Sequence, residues 1–140
     1  MACGVAMAAN TQVSGLTAVA VSSLLSDPET TDRFIELNRS RLAIAYETMA
    51  SFLRSLNVRY VPAYAGIYIW AKLSEKVQSW DQEAQLTKMI ADNGVAVSAG
   101  KSYAARDPGW YRLSFALEPE KLQEGLRILA IGIAAFENQG

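Results

Sequence analysis

Apolar positions recur along this chain with two different periods, and the changes between them lay out its elements. From Leu42 through Ala45, Met49, Phe52 and Leu56 they fall three or four residues apart, the spacing that gathers them on one helix face. Arg33, Arg39, Arg41 and Glu47 fall off that stripe. Ser26-Asp27-Pro28-Glu29 is the start signal: Asp27 can cap, Pro28 suits the first helical position, and Glu29 favours the positive end of the dipole. Ser26 with Glu29 offers a capping box instead, and the sequence leaves both open. Running to about Leu56, such a helix is about 40 Å long, more than one small domain needs to cover a sheet. It reads as a brace between two bodies.

Beyond it the period shortens. Val58 to Val61 is a short strand ended by Pro62, which has no N–H for a ladder. Tyr64-Ala65-Gly66 turns the chain, and Ile67 to Leu73 alternates, with Ile67, Ile69, Ala71 and Leu73 inward and Tyr68, Trp70 and Lys72 outward. Ser79 and Gln82 are a capping pair for a helix bearing Leu86, Met89 and Ile90, which Asn93-Gly94 ends. Val95 to Ser98 reads as a strand and Ala99 to Asp107 as a loop. Pro108-Gly109 then turns into a strand whose Tyr111, Leu113, Phe115 and Leu117 share one face and whose Trp110, Arg112, Ser114 and Ala116 share the other. Pro119 opens a last helix with Leu122, Leu126, Leu129, Ile133 and Phe136 on its buried stripe. The order predicts an α+β fold: a small three- to four-stranded, mainly antiparallel sheet, helices on one face, a long helix in front.

Composition narrows the chemistry. With 140 residues the chain can bury roughly two thirds of its unfolded surface without staples. Lys and Arg total 13 against 14 Asp and Glu, and no basic run exists, which argues against nucleic acid as a partner. Cys3 is the only cysteine, so no intrachain disulfide forms, and an intracellular, cytoplasmic location is the expectation. Histidine is absent, which removes Ser-His-Asp and Cys-His catalysis and every His-containing metal site. Residues 1 to 26 carry no charge at all. They lack the basic start and leucine-rich centre of a signal peptide despite Ala6-Met7-Ala8, and Asn10, Thr11, Gln12, Ser14 and Thr17 make them too polar to span a membrane. What remains is a helix from about Val13 to Leu25, apolar on nearly every side, of the kind normally buried in something larger.

Two motifs invite a reading and fail it. Gly94 to Ser102 has the look of a phosphate loop, but five residues separate Gly94 from Gly100 where four are needed. Ser98-Ala99-Gly100-Lys101 matches S-x-x-K without its companion elements, which leaves Lys101 a solvated loop lysine. Asp81, Glu83, Glu118 and Glu120 near helix starts read as acids favouring the dipole. Arg112 is the residue with chemistry to offer. Its guanidinium, set between an indole and small residues, forms either a structural ion pair or a bidentate grip on a carboxylate.

Five segments in order resemble the C-terminal part of fold-type I pyridoxal-phosphate enzymes, the class I/II aminotransferases, and among them the aminocyclopropane-carboxylate-synthase-like members. They are Ser22 to Asp27, Asn38 to Leu42, Ala65-Gly66-Ile67-Tyr68-Ile69-Trp70, Gly94 to Ser98 with Gly100 and Tyr103, and Pro108 to Ala116. The resemblance covers about residues 14 to 137. It implies that Arg112 binds the α-carboxylate of an amino-acid substrate, that Ala65 and Gly66 lie near the site with Gly66 allowing close backbone approach, and that the long helix links two domains. On this reading residues 1–26 are a remnant of the large cofactor domain and 27–140 the small domain. The Schiff-base lysine of the family has no match in Lys72, Lys76, Lys88, Lys101 or Lys121. Pyridoxal 5'-phosphate is thus expected in the parent enzyme and not held by this chain alone, which is expected to be inactive, an excised, truncated or split piece. Its parent would carry out transamination, α,γ-elimination or β-elimination. The expected partners are the missing large domain, as another region or a second chain, and a further copy through the N-terminal apolar helix. A freestanding α+β binding module, with Arg112 structural, is the competing reading.

Overall fold

The structure, a computed structural model, describes residues 13–138. Cys3, Ala6-Met7-Ala8, Asn10, Thr11 and Gln12, and the readings that rest on them, lie outside the described residues. The chain divides into two compact units, Met1–Ser40 and Arg41–Gly140.

The first unit contains α1 (Gly15–Leu25) and the opening turns of α2 (Pro28–Ser55). None of α1 is buried, and Leu16 and Val19 are 82% and 68% exposed. Asp27 takes the cap of α2: Oδ1 accepts the Thr30 N–H at 3.3 Å and Oδ2 the Thr30 hydroxyl at 2.7 Å. These bonds hold its carboxyl below the usual carboxylate range. The Ser26 hydroxyl instead donates back to the Ser22 carbonyl, which resolves the choice left open by the sequence.

The second unit is built on a four-stranded antiparallel sheet of order β1-β2-β4-β3, with β1 at Arg59–Val61, β2 at Tyr68–Lys72, β3 at Ser98–Ala99 and β4 at Trp110–Ser114. Alternation sends Ile69, Ala71, Tyr111 and Leu113 to one face, where they are buried. Against it pack Met49 and Leu53 of α2, Leu86 and Ile90 of α3 (Trp80–Asp92), and Leu122, Leu126, Leu129, Ile133 and Phe136 of α4 (Pro119–Glu137). A Ser79–Gln82 capping box starts α3, and Gly94 leaves it at φ +100°.

The pattern overreached at the ends of elements. Leu56 lies past the end of α2 and is 41% exposed, while Leu53, off the expected stripe, is fully buried. Beyond β4 the Leu117 N–H turns back to the Phe115 carbonyl at 2.8 Å, which ends the alternation and leaves Leu117 exposed. Ile67, before β2, is likewise exposed rather than inward. The strand expected at Val95–Ser98 shrinks to Ser98–Ala99, because the Val95 N–H is taken by the Ile90 carbonyl at the helix end and only Ser98 and Ala99 pair with β4.

Helices α3 and α4 meet where a glycine removes a side chain. A Cβ on Gly132 would stand 2.8 Å from Ile90 Cγ1 and 3.2 Å from Ile90 Cα. Gly132→Ala should therefore lower stability by about 1–3 kcal/mol through overpacking, although alanine is the better helix former. Urea unfolding checks this, and an unchanged or raised midpoint would show that the contact relaxes freely.

Candidate carboxylate-binding site

The face of the sheet opposite the helices is aromatic and cationic. Register sets Trp70 opposite Arg112, Lys72 opposite Trp110 and Tyr68 opposite Ser114, all on this face, with Arg59 paired to Lys72 at the β1 side. Trp70 and Trp110 stack with centroids 6.0 Å apart, and Tyr103, from the short 3-10 turn Gly100–Tyr103, meets Trp70 edge-on at 6.1 Å.

Three cations share this face, and two of them are engaged. Arg59 and Lys72 pair with Glu75 at 3.2 and 3.3 Å, and Arg59 also lies 5.3 Å from the Trp110 ring centre. Arg112 has no carboxylate within ion-pair distance among the described residues. Its Cζ lies 4.2 Å from the Tyr68 ring centre and 4.6 Å from that of Tyr103, so the guanidinium sits between two phenol rings, not beside the indole that the sequence suggested. One ring arrives from β2 and the other from beyond β3, the strands on either side of β4. Its Nε is buried with no hydrogen-bond partner. A buried donor left unmatched costs about 1–3 kcal/mol, a deficit that an incoming acceptor would remove. The structural ion pair considered for Arg112 is not formed within the described residues.

Ala65 and Gly66 occupy an exposed bend just ahead of Tyr68. Gly66 has φ +82°, which demands glycine, but a Cβ there would meet nothing within 4 Å, so no part of the described chain makes the close approach expected of it.

Behind β4 stands Glu83, in the first turn of α3 as the sequence suggested, but 1% exposed and engaged beyond the helix dipole. Its Oε1 accepts the Lys101 N–H at 3.0 Å and its Oε2 the Gly109 N–H at 2.7 Å. Its carbonyl accepts the Tyr111 hydroxyl at 2.9 Å and the Thr87 hydroxyl at 2.6 Å. No sequence signal separates this glutamate from the other acids near helix starts. Tyr103 is visible in the sequence only as part of a motif, and Tyr68 only as an outward position within one.

Burial pushes the Tyr111 phenol well above its ordinary range. A raised folded value means that stability is full below the unfolded tyrosine value of about 10 and falls as pH rises beyond it. Tyr111→Phe should flatten that alkaline limb and cost about 1 kcal/mol at neutral pH for its lost hydrogen bonds. Urea midpoints followed from neutral pH to beyond the tyrosine range test it; identical limbs in both proteins would contradict the assignment.

The sheet thus carries helices on one face and, on the other, a ring-flanked arginine with no ion-pair partner among the described residues. The family model for aminotransferase class I and II matches residues 2–129, and the chain belongs to that family of fold-type I pyridoxal-phosphate enzymes. It is 36% identical over 129 residues to the probable aminotransferase gliI of Aspergillus fumigatus, covering 87% of this chain and 30% of that protein. It is 28% identical over 130 residues to 1-aminocyclopropane-1-carboxylate synthase-like protein 1 of Takifugu rubripes, covering 91% and 21%. Among solved structures it resembles a tetra mutant of Thermus thermophilus aspartate aminotransferase, with TM-score 0.68, 25% identity, and 78% and 29% of the two chains covered. The chain spans less than a third of the length of curated relatives that it matches.

Membership implies pyridoxal phosphate in the parent enzyme. That group needs a lysine for its aldehyde and a partner for its ring nitrogen. Here Lys72 pairs with Glu75, Lys88 with Asp92 and Lys121 with Glu118, Lys76 donates to the Glu137 carbonyl at 2.6 Å, and Lys101 is exposed on its turn. The described residues do not fit the cofactor. No helix among them is long and apolar enough to cross a membrane.

Proposed function

We propose that this chain is the substrate-carboxylate-binding small domain of a pyridoxal-phosphate enzyme acting on amino acids, with residues 27–140 as that domain and residues 1–26 belonging to the cofactor body. Arg112 grips the α-carboxylate through its forked N–H groups and so fixes the amino acid's Cα in one orientation. The observation that carries the reading is the unpartnered, buried Nε of a guanidinium held between Tyr68 and Tyr103. Ala65 and Gly66 line the approach, and the exposed bend leaves room there for a ligand or for the body that holds the cofactor. Transamination is favoured over elimination, because gliI, at 36% identity, is named a probable aminotransferase. The cofactor body, as a further region or a second chain, covers the exposed apolar side chains of α1. Alone, the 140-residue chain is catalytically inert. The freestanding-module reading is not favoured, since the chain belongs to the aminotransferase family and spans under a third of the relatives it matches.

Calorimetry tests this by comparing L-alanine with ethylamine, which keeps the amine and lacks the carboxylate. Heat that saturates for L-alanine alone is the expected result, with affinity near millimolar for a single forked contact. Equal responses, or none, would overturn the proposal. Pyridoxal phosphate added in equal amount should keep its free absorbance spectrum, and a stoichiometric spectral change would refute the inertness of the isolated chain.

A further inference from the structure

The loop that carries Tyr103 begins and ends on the same carboxylate. Glu83 accepts the N–H of Lys101 through one oxygen and the N–H of Gly109 through the other, at 3.0 and 2.7 Å. Between these anchors the backbone passes through Ala104 at φ +52°, a left-handed conformation that alanine holds only when its surroundings impose it. Tyr103 lies just before that residue, its ring 4.6 Å from the Arg112 guanidinium carbon. The Glu83 carbonyl also accepts the Tyr111 hydroxyl, so α3 is tied to Gly109 and Tyr111, both just ahead of Arg112 in the chain. Among the described residues no cation pairs with Glu83. A carboxylate is nonetheless what the site requires, because both partners are donors and glutamine would turn an NH2 group toward one of them.

We infer that Glu83 is a positioning residue for Arg112: by closing both ends of the 101–109 loop it holds the Tyr103 ring against the guanidinium. The inference rests on the carboxylate-binding reading of Arg112. A released loop withdraws one of the two flanking rings, and the guanidinium then gains freedom that a ligand must remove on binding. Glu83 touches no ligand itself and acts through Tyr103.

The test is a double-mutant cycle on the 140-residue protein with L-alanine as the probe. Glu83→Gln should weaken binding roughly three- to thirtyfold, the range expected for losing one cation–ring contact. Tyr103→Ala, at a half-exposed position, should weaken it by a similar factor. The double variant should be no weaker than either single variant, since both remove the same contact. Amide exchange at Lys101 and Gly109 gives a readout that needs no ligand, and Glu83→Gln should lose protection at one or both. Additive losses in the cycle, or lost protection with unchanged affinity, would overturn the positioning role while leaving the carboxylate site standing. If the unmodified protein binds no L-alanine, the carboxylate reading fails. The clamp is then judged by the Arg112 Nε–H resonance, which Glu83→Gln and Tyr103→Ala must shift alike; unequal shifts would refute it. Should Glu83→Gln not fold, Tyr103→Ala leaving both affinity and that resonance unchanged would refute it as well.

Discussion

Arg112→Gln should abolish measurable binding of L-alanine while leaving the unfolding midpoint unchanged or slightly raised. Two charge-assisted hydrogen bonds of about 1.5–3 kcal/mol each are at stake, so the loss amounts to a factor of at least about a hundred. Arg112→Lys should recover only part, because an ammonium offers a point charge where the site presents a fork. The stability half of the prediction separates two roles. An arginine that served the fold would leave unsatisfied partners behind when replaced, and the protein would weaken. Here no described carboxylate depends on Arg112, and the relief of its unsatisfied buried Nε offsets the loss of its contacts with the Tyr68 and Tyr103 rings. A marked fall in the midpoint for Arg112→Gln would show that the side chain is structural.

The largest effect on stability is expected at Leu53. It is fully buried beneath the sheet, in the same cluster as Ile69, Leu113 and Phe136. Leu53→Ala removes apolar surface and leaves a cavity that the rigid sheet cannot fill, at a cost of about 2–5 kcal/mol. Leu56→Ala, three residues on and 41% exposed, should cost far less. Urea unfolding of the pair compares a buried leucine with one that only resembled it in periodicity. Equal losses would mean that the packing around the end of α2 is not as described.

That contrast shows what the sequence could carry. The stripe on α4 was legible because Leu122, Leu126, Leu129, Ile133 and Phe136 keep one period over a whole helix, and every one is buried. The α+β class and the antiparallel sheet followed from alternation in β2 and β4. Ends were less legible. Periodicity continues in the letters through Leu56 and Leu117, past the last residues of α2 and β4, so apolar residues beyond an end read as core. On α2 the buried face is broader than a narrow seam, which is how Leu53 escaped notice beside Phe52.

The site divides in the same way. Arg112 stood out because one cation on a strand of aromatic and small residues is conspicuous in one dimension. Its surroundings did not stand out, because they come from separate elements: Tyr68 from β2, Tyr103 from a turn beyond β3, and Glu83 from α3 behind the sheet. Glu83 meets N–H groups 18 and 26 residues further along the chain, a relation that no local pattern encodes.

The most direct measurement is the proton resonance of the Arg112 Nε–H group, assigned by its loss in Arg112→Lys and followed as L-alanine is added. The account predicts a progressive downfield shift that saturates, because an unmatched donor gains a carboxylate oxygen, and no such movement with ethylamine. A resonance that stays in place through the titration, or moves equally with ethylamine, would contradict the claim that this guanidinium is the chain's carboxylate receptor.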